Sequence, residues 1–280
     1  MKHKKKLSRA AVRRRVWIFL VLAIALAAFA VAAPYLTPND PNATNSEFMK
    51  AAPCAHFPLG TDKLGRCVLS RVMMGARTSI FSSLCVVAAS FVFGTALGAL
   101  CGWYGGALDE IVMRVVDILL AFPQMVLAIA VAGVLGGSLL NAMIAMGITG
   151  WTLYARLARS AVMTMKKEPY IAAAKLSGCR TGRLIIRHVL PNIFGPLLVN
   201  AATQIGTMMI GIAGLSFLGI GVTPPQAEWG SMINEARAYM QLAPWTVLAP
   251  GGAMLITVMI FNYLGDSVRD LLDAGGQNDG

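Results

Sequence analysis

The stretch that decides the fold is VWIFLVLAIALAAFAVAA, Val16 to Ala33, which contains no charged residue and no proline. At about 1.5 Å of rise per residue, a helix of this length reaches roughly 27 Å, which is close to the hydrocarbon thickness of a bilayer. The stretch therefore predicts a membrane-spanning helix. A cleaved signal peptide is the competing interpretation, because residues 30–32 read Ala-Val-Ala, but the apolar run is longer than the usual signal core of about 7–15 residues.

The composition of the whole chain points to the same class of protein. Of its 280 residues, 56% are hydrophobic and 13% are charged, whereas soluble globular chains carry about a quarter charged residues. Five further apolar segments predict spans near residues 79–103, 111–136, 138–165, 197–220 and 246–266. We therefore expect an all-α integral membrane protein with six transmembrane helices.

The basic residues indicate how these spans are oriented. Clusters of Lys and Arg are poorly translocated, and the chain has one cluster before the first span and a second between Arg156 and His188. Six spans place both clusters, and both termini, on the cytoplasmic side of a multi-pass protein of the inner membrane. The net charge of +11 is then explained by topology, so we expect contact with lipid and no nucleic-acid partner.

This topology divides the chain into four expected parts. Residues 1–37 form a basic arm and the first transmembrane helix, and residues 38–76 an extracytoplasmic segment. Residues 77–266 form the main transmembrane domain, and residues 267–280 a cytoplasmic tail.

The sequence lacks the motifs of an enzyme. It has no glycine-rich phosphate loop, no Gly-x-Ser-x-Gly nucleophile and no Cys or His spacing typical of a metal site. We therefore expect a non-catalytic chain with no metal and no cofactor of its own. A disulfide between Cys54 and Cys67, the two cysteines expected outside, stays open.

Charged residues crowd the start of the span near 111–136, where Asp109 and Glu110 precede Arg114 and Asp117. The i,i+4 spacing of Glu110 and Arg114, and the i,i+3 spacing of Arg114 and Asp117, predict ion pairs within one helix. A proton relay is the alternative, because charges in spans are costly and often functional. We favour the pairs, which argues against a proton-coupled transporter.

Two stripes of small or polar residues recur at helical spacing. Ser90, Gly94, Gly98 and Gly102 repeat every four residues and predict a face against which another helix packs closely. A second stripe, in the span near 197–220, is polar. It comprises Asn200, Thr203, Gln204 and Thr207. The second stripe has two equally weighted interpretations, the lining of an aqueous path or hydrogen bonds between helices.

The loop after that stripe, residues 221–245, begins with a Pro-Pro pair and then becomes amphipathic. The apolar face includes Trp229 and Met232, and it predicts an interfacial helix at the outer surface. A docking surface for an external protein is the functional alternative. Its candidate residues are Glu228, Trp229 and Asn234.

The inner segment AAAKLSGCRTGRLIIRHVLPN, Ala172 to Asn192, predicts a helix, a glycine turn and a second helix. Gly178 suits a left-handed cap, and Pro191 is expected to end the second helix. A DNA-binding helix-turn-helix is a competing interpretation, but a position between two spans argues against it. A plain solvated loop explains the basic residues without explaining the small ones.

This segment resembles the cytoplasmic signature of the permease subunits of ATP-binding-cassette importers, E-A-A, three residues, G, nine residues, I-x-L-P. Ala173, Ala174, Gly178, Leu190 and Pro191 fit the signature. Ala172 stands where Glu is usual and His188 where Ile is usual.

Three other segments resemble the second permease of the dipeptide, oligopeptide and nickel importers, and the resemblance covers nearly the whole chain. The segments are FPLGTDKLGRCVLSRVMMGARTS, GLSFLGIGVTPPQAEWGSMI and FNYLGDSVRDLLD. One departure is Cys67, which stands where this family usually has Asp.

The resemblance implies a type I importer transmembrane domain that pairs with a second permease in a heterodimer. It also implies two cytoplasmic ATPase subunits, which carry ATP and Mg²⁺, and an extracytoplasmic solute-binding protein. Import by alternating access would deliver short peptides or nickel. The residues implied to couple the ATPase are Ala173, Ala174, Gly178, Arg180, Arg183, Arg187, Leu190 and Pro191. A channel or secondary transporter without an ATPase is the alternative function.

Overall fold

The computed structural model describes residues 9–276 and, within them, the side chains of residues 10–272. Over these residues the chain forms ten α-helices and no β-strand. The first five helices are α1 (Arg9–Leu36), α2 (Val68–Tyr104), α3 (Gly106–Leu120), α4 (Gln124–Leu135) and α5 (Leu139–Met165). The others are α6 (Pro169–Leu176), α7 (Thr181–Leu184), α8 (Leu190–Phe217), α9 (Trp229–Ala236) and α10 (Trp245–Gly276). The predicted all-α class is therefore confirmed.

The number of spans differs from the prediction of six. Among the described residues, four stretches are long and apolar enough to cross a membrane: α1, α2, the stretch Thr181–Phe217 and α10. The pair α3 and α4 adds a fifth if it is counted as one broken span. The remaining predicted span is α5, whose buried polar residues include Thr149 and Thr152. Because neighbouring helices cover much of α5, it does not need the apolar surface of a lipid-facing helix.

The predicted packing stripe is confirmed as the contact between α2 and α5. Gly94 faces the backbone of Trp151, and Gly98 faces that of Ala155. A Cβ atom placed on Gly98 would lie 2.8 Å from the carbonyl carbon of Ala155, which is closer than real Cβ atoms approach other atoms. The glycines therefore allow the two backbones to touch, and this is the most extensive helix pair in the described part of the chain.

The predicted continuous helix over residues 111–136 is wrong. The chain bends by 92° between α3 and α4. Pro123 lies at the bend, where it has no N–H for a helical hydrogen bond and disfavours helical backbone at the residue before it. The break thus has a local cause that hydrophobic periodicity alone did not reveal.

The predicted ion pairs within α3 are also wrong. Asp109 instead pairs with Arg159, whose Nη2 lies 2.6 Å from Asp109 Oδ2. Asp117 pairs with Arg156, whose Nη2 lies 2.6 Å from Asp117 Oδ1. Both arginines lie on α5, which packs against α3. A guanidinium can engage both oxygens of a carboxylate, and the partner across the interface is better placed than Arg114 on the same helix.

The inner segment forms the predicted helix, glycine turn and helix. Gly178 has a φ of +78° and closes α6, since its N–H donates to Lys175 O at 3.0 Å and Cys179 N–H donates to Ala174 O at 3.1 Å. This is a Schellman cap, which requires a residue that tolerates left-handed backbone.

The second helix does not end at Pro191, contrary to the prediction. A π-helical turn, Ile185–Val189, leads directly into α8. In this turn Leu190 N–H donates to Ile185 O, five residues earlier. The wider turn lets Pro191 enter the first turn of α8, where a proline needs no hydrogen-bond donor.

The predicted four-part division stays a prediction, and two of its boundaries fall inside helices. The helix α2 begins at Val68, before the expected boundary at residue 77. The helix α10 continues to Gly276, past the expected boundary at residue 267.

We expect Gly98→Ala to lower the stability of the bundle, because its methyl group would collide with the backbone of Ala155. The cost should be about 1–3 kcal/mol, measured as a lower apparent Tm of the chain in detergent. Gly147→Ala is the matched control, since Gly147 lies on α5 with nothing within 4 Å of the added Cβ. Equal melting of the two variants would contradict the proposed backbone contact.

Candidate functional site

The inner hairpin, formed by α6, Gly178, α7 and the π-helical turn, presents an apolar and basic surface to solvent. Leu176 is 91% exposed and Ile186 is 68% exposed. The arginines Arg180, Arg183 and Arg187 are exposed as well. Arginine is enriched at protein interfaces, so these arginines together with the exposed Leu176 and Ile186 form a candidate contact surface for another protein.

The opposite face of the hairpin is anchored in the bundle. Ile171, Leu184 and Val189 are at most 1% exposed and join one apolar cluster with Trp103 of α2 and Val162 of α5. The hairpin is therefore attached to the inner ends of the two helices that pack most extensively. A force on its exposed face would be transmitted to that pair.

The residues predicted to couple the ATPase differ in exposure. Ala173, Gly178, Pro191 and the three arginines are exposed, whereas Ala174 and Leu190 are half-buried. Ala172, at the position of the usual Glu, is exposed.

A cavity of about 330 Å³ lies beside the break between α3 and α4. Its polar lining comes from Gln124 on α4, Thr149 and Thr152 on α5, and Gln204 on α8. Phe122 and leucines of α3 and α5 form the apolar part. The lining has amides and hydroxyls without a charged side chain, so it can solvate a polar solute without holding it tightly.

The structure separates the four residues of the predicted polar stripe. Gln204 lines this cavity, but Thr203 faces Gly265 of α10 and donates its hydroxyl to Asn200 O at 3.0 Å. Asn200 donates its amide to Pro196 O at 2.9 Å, and Thr207 is exposed. Gln204 therefore lies where an aqueous path would need it. Asn200 and Thr203 donate to carbonyl oxygens of α8 itself and not to another helix, so these bonds are not the predicted hydrogen bonds between helices.

A second cavity, of about 810 Å³, lies between the C-terminal end of α1 and the N-terminal parts of α2 and α5. Arg77, Asn42 and Gln226 contribute polar groups, and Met74 and Met143 contribute apolar surface. Sequence reasoning did not identify it, because its walls come from segments far apart in the chain. The available signal was Arg77, which lies in the segment FPLGTDKLGRCVLSRVMMGARTS quoted above.

The segment Leu59 to Arg66 folds around the carboxylate of Asp62. Its Oδ1 accepts from Leu64 N–H at 2.8 Å and from Arg66 N–H at 3.0 Å, and its Oδ2 accepts from Arg66 Nε at 2.6 Å. Gly65, with a φ of +75°, lies so close to Asn45 that any side chain would collide with its backbone. Asp62, Arg66 and Gly65 therefore fix the backbone shape of this segment.

Arg66 links this segment to α9 through an ion pair with Glu235. The three side chains of this outer ion cluster, Asp62, Arg66 and Glu235, are between 3% and 13% exposed. Burial lowers the pKa of Arg66, but the two carboxylates together raise it above its ordinary value. Sequence reasoning missed Glu235, which is 169 residues from its partner.

Arg71 lies behind the outer ion cluster and ties it to two loops. It donates to the carbonyl oxygens of Pro41 and Pro225 at 3.3 and 3.2 Å, and its Nε lies 3.7 Å from Asp62 Oδ2. Cys67 precedes α2 as its N-cap residue and makes no side-chain capping bond. Cys54 and Cys67 are both free, so the structure contains no disulfide between them.

Two of the three candidate docking residues are inside the fold. Glu228 is 1% exposed and caps α9 by accepting from Gly230 N–H at 2.9 Å and Ser231 N–H at 2.8 Å. Trp229 is 2% exposed and donates Nε1–H to Val72 O at 3.0 Å. Asn234 is half-buried. The predicted interfacial helix α9 is thus packed against the bundle, and the docking role stays a prediction.

Known proteins resemble this chain over most of its length. Residues 94–275 match the family described as binding-protein-dependent transport system inner membrane component. The dipeptide transport system permease protein DppC of Alkalihalophilus pseudofirmus is 41% identical over 254 residues, which cover 91% of this chain and 84% of that protein. The nickel transport system permease protein NikC of Escherichia coli is 39% identical over 261 residues, which cover 93% of this chain and 94% of that protein.

A solved structure has the same arrangement of helices. A chain of the MetNI methionine ABC transporter in an inward-facing conformation superimposes with a TM-score of 0.58 at 19% identity, covering 72% of this chain and 97% of that one. This likeness shows the fold of a type I ABC importer transmembrane domain and nothing of its activity.

We expect Arg66→Met to destabilise the outer face strongly, because it leaves Glu235 without a cationic partner and leaves Asp62 with only Arg71, whose Nε is 3.7 Å away. Removing one member of a buried ion pair typically costs about 3–5 kcal/mol, measured by thermal unfolding in detergent. Lys63→Met is the control, since Lys63 is exposed in the same segment. Adding Glu235→Gln to Arg66→Met should recover part of the loss; no recovery would contradict the electrostatic explanation.

Proposed function

Because the chain belongs to the family of binding-protein-dependent transport system inner membrane components, we propose that it is one permease subunit of an ATP-driven importer. The observation that carries the proposal is the inner hairpin, which exposes Leu176 and three arginines while its other face is packed on α2 and α5. A separate ATPase pair would bind the exposed face and supply ATP and Mg²⁺. The chain itself would be non-catalytic.

In the proposed mechanism, nucleotide-driven closure of the ATPases pulls the inner hairpin. The apolar cluster around Ile171 and Leu184 passes the movement to the inner ends of α2 and α5. Those two helices move together, because their backbones are in contact along the glycine stripe. The bend between α3 and α4, where helical hydrogen bonding is interrupted, is where the bundle deforms.

The proposed pathway runs past the cavity beside that bend. Gln124 and Gln204 supply amides that replace water around a polar solute, and Thr149 and Thr152 supply hydroxyls. A second permease of the same family would close the other side of the pathway in a heterodimer. Alternating access then consists of opening this region to one side of the membrane at a time.

The solute we propose is a short peptide or nickel, as the names of the relatives DppC and NikC indicate for those proteins. The uncharged lining of the cavity beside the bend is compatible with either. Selection between them would fall to the extracytoplasmic binding protein. Its docking surface on this chain would be the outer face that includes Asn234, supported from inside by Glu228 and Trp229.

We propose the orientation with both termini in the cytoplasm. The exposed arginines at residues 13–15 at the start of α1 and the basic inner hairpin then lie on the same side. The outer ion cluster and the cavity of about 810 Å³ lie on the side of the binding protein.

We expect Gly178→Val to abolish coupling, because a β-branched residue resists the φ of +78° that turns the inner hairpin. Gly178→Asn is the matched control, since Asn tolerates left-handed backbone and nothing lies within 4 Å of the added Cβ. The measurement is binding-protein-stimulated ATP hydrolysis and solute uptake by the complete importer in proteoliposomes. The Val variant should still insert and should lose at least about tenfold in both rates.

Two outcomes would contradict the proposal. Full activity of Gly178→Val would mean that the inner hairpin is a passive loop. Uptake by the chain alone, without ATPases or a second permease, would favour the stand-alone channel or secondary transporter.

We expect Gln204→Cys to react with a water-soluble thiol reagent during turnover, because Gln204 lines the cavity beside the bend. Thr203→Cys is the control and should stay unreactive, since Thr203 packs against Gly265. Both variants are made in a chain whose five native cysteines are replaced by serine or alanine. Absence of labelling at Gln204 in every state would remove this residue from the pathway.

A further inference from the structure

A separate cavity of about 420 Å³ lies at the inner ends of α2, α3 and α5, beside α6. It is distinct from the cavity at the bend, and the proposed transport path does not use it. Lysines supply most of its polar groups. The lining includes Lys166, Lys167, Lys175, Asp109, Gly105 and Met163.

The charge in this inner cavity is strongly positive. Asp109, its one acidic lining residue, already accepts from Nε and Nη2 of Arg159. None of the three lysines pairs with a carboxylate among the described side chains. The cavity therefore carries cationic charge without a protein counter-ion.

Trp103 holds two of the lysines in place. Lys166 Nζ donates to Trp103 O at 2.6 Å, and Lys175 Nζ lies 4.8 Å from the centre of the Trp103 ring. Trp103 is 5% exposed and belongs to the core. Two ammonium groups are thus positioned against a rigid support beside the third, that of Lys167, and all three lysines are exposed.

The start of α3 adds to the attraction for an anion. Gly105 forms the N-cap of this 15-residue helix and supplies no side-chain capping bond. The N–H groups of a first helical turn carry partial positive charge and favour phosphate. A Cβ atom added to Gly105 would have nothing within 4 Å, so an anion can approach the backbone closely.

Exposed apolar surface adjoins the charged groups of the inner cavity. Met163, which lines the cavity, is 42% exposed, and Tyr104, the residue before Gly105, is 61% exposed. In a membrane protein, such side chains at the end of a span contact acyl chains and the headgroup level. The cationic cavity and its apolar border together match a molecule with an anionic head and an apolar tail.

We propose that this inner cavity binds the phosphate headgroup of an anionic phospholipid from the inner leaflet. Basic pockets between spans on the cytoplasmic side have the chemistry for such headgroups. The bound headgroup braces α6 against the turn between α2 and α3, because Lys175 lies on α6 and Gly105 lies in that turn. The inference rests on the proposed orientation and is independent of coupling to an ATPase.

The test measures lipid retained by the full chain in detergent, using native mass spectrometry. Phosphatidylglycerol is compared with phosphatidylethanolamine of the same acyl chains. The wild-type chain should prefer phosphatidylglycerol, and the double variant Lys167→Gln with Lys175→Gln should bind it about 25-fold more weakly. The matched control is Arg180→Gln with Arg183→Gln, which removes two charges from the same inner segment outside the cavity and should stay within about twofold of wild type.

Three results would overturn the proposal. They are equal binding of both lipids by the wild type, equal losses in the two double variants, and displacement of phosphatidylglycerol by equimolar inorganic phosphate. The last result would assign the cavity to free phosphate. If the lysine double variant does not fold, Lys167→Glu replaces it, because Lys167 is exposed. Lipid retention needs no ATPase, so its failure leaves the transport proposal intact.

Discussion

The contact between the backbones of α2 and α5 is the constraint on which the other parts of the structure depend. It exists because Gly94, Gly98 and Gly102 leave no side chain between the helices. In hydrocarbon there is little hydrophobic drive for helices to associate, so close van der Waals packing must supply it. The inner hairpin is attached to the inner ends of this pair, α3 is held to α5 by two ion pairs, and the outer end of α2 lies beside the outer ion cluster.

The irregular helical elements lie around this rigid pair. The bend at Pro123 and the π-helical turn before Pro191 both relieve a helix of the hydrogen bond that a proline cannot make. Each also lies beside a feature assigned to transport, the cavity containing Gln204 and the inner hairpin. A bundle with one stiff pair and two interruptions can change shape at the interruptions while its core stays packed. This arrangement supports a chain that responds mechanically to an external ATPase.

The charged residues have structural roles that depend on burial. Arg66 is surrounded by two carboxylates, and Glu228 caps a helix from inside the fold. A buried ion cluster of this kind adds less to stability than its removal costs, because its formation requires desolvation of every member. Its effect is to fix the outer segment against α9. The face that a binding protein would meet is therefore shaped by residues that it would not touch.

Local patterns in the sequence determined the membrane class, the glycine stripe and the left-handed cap at Gly178, since each depends on residues within a few turns of one another. The pairing of Asp109 with Arg159 and that of Arg66 with Glu235 were decided only by tertiary structure, because the partners lie 50 and 169 residues apart in the chain. The same holds for the hydroxyl of Ser79, which donates to Glu228 from 149 residues away. Periodicity specifies which residues share a helical face, but not which helix covers it. For that reason periodicity placed the polar stripe on one helix, α8, but its division between the cavity at Gln204 and the packing of Thr203 on α10 required the assembled bundle.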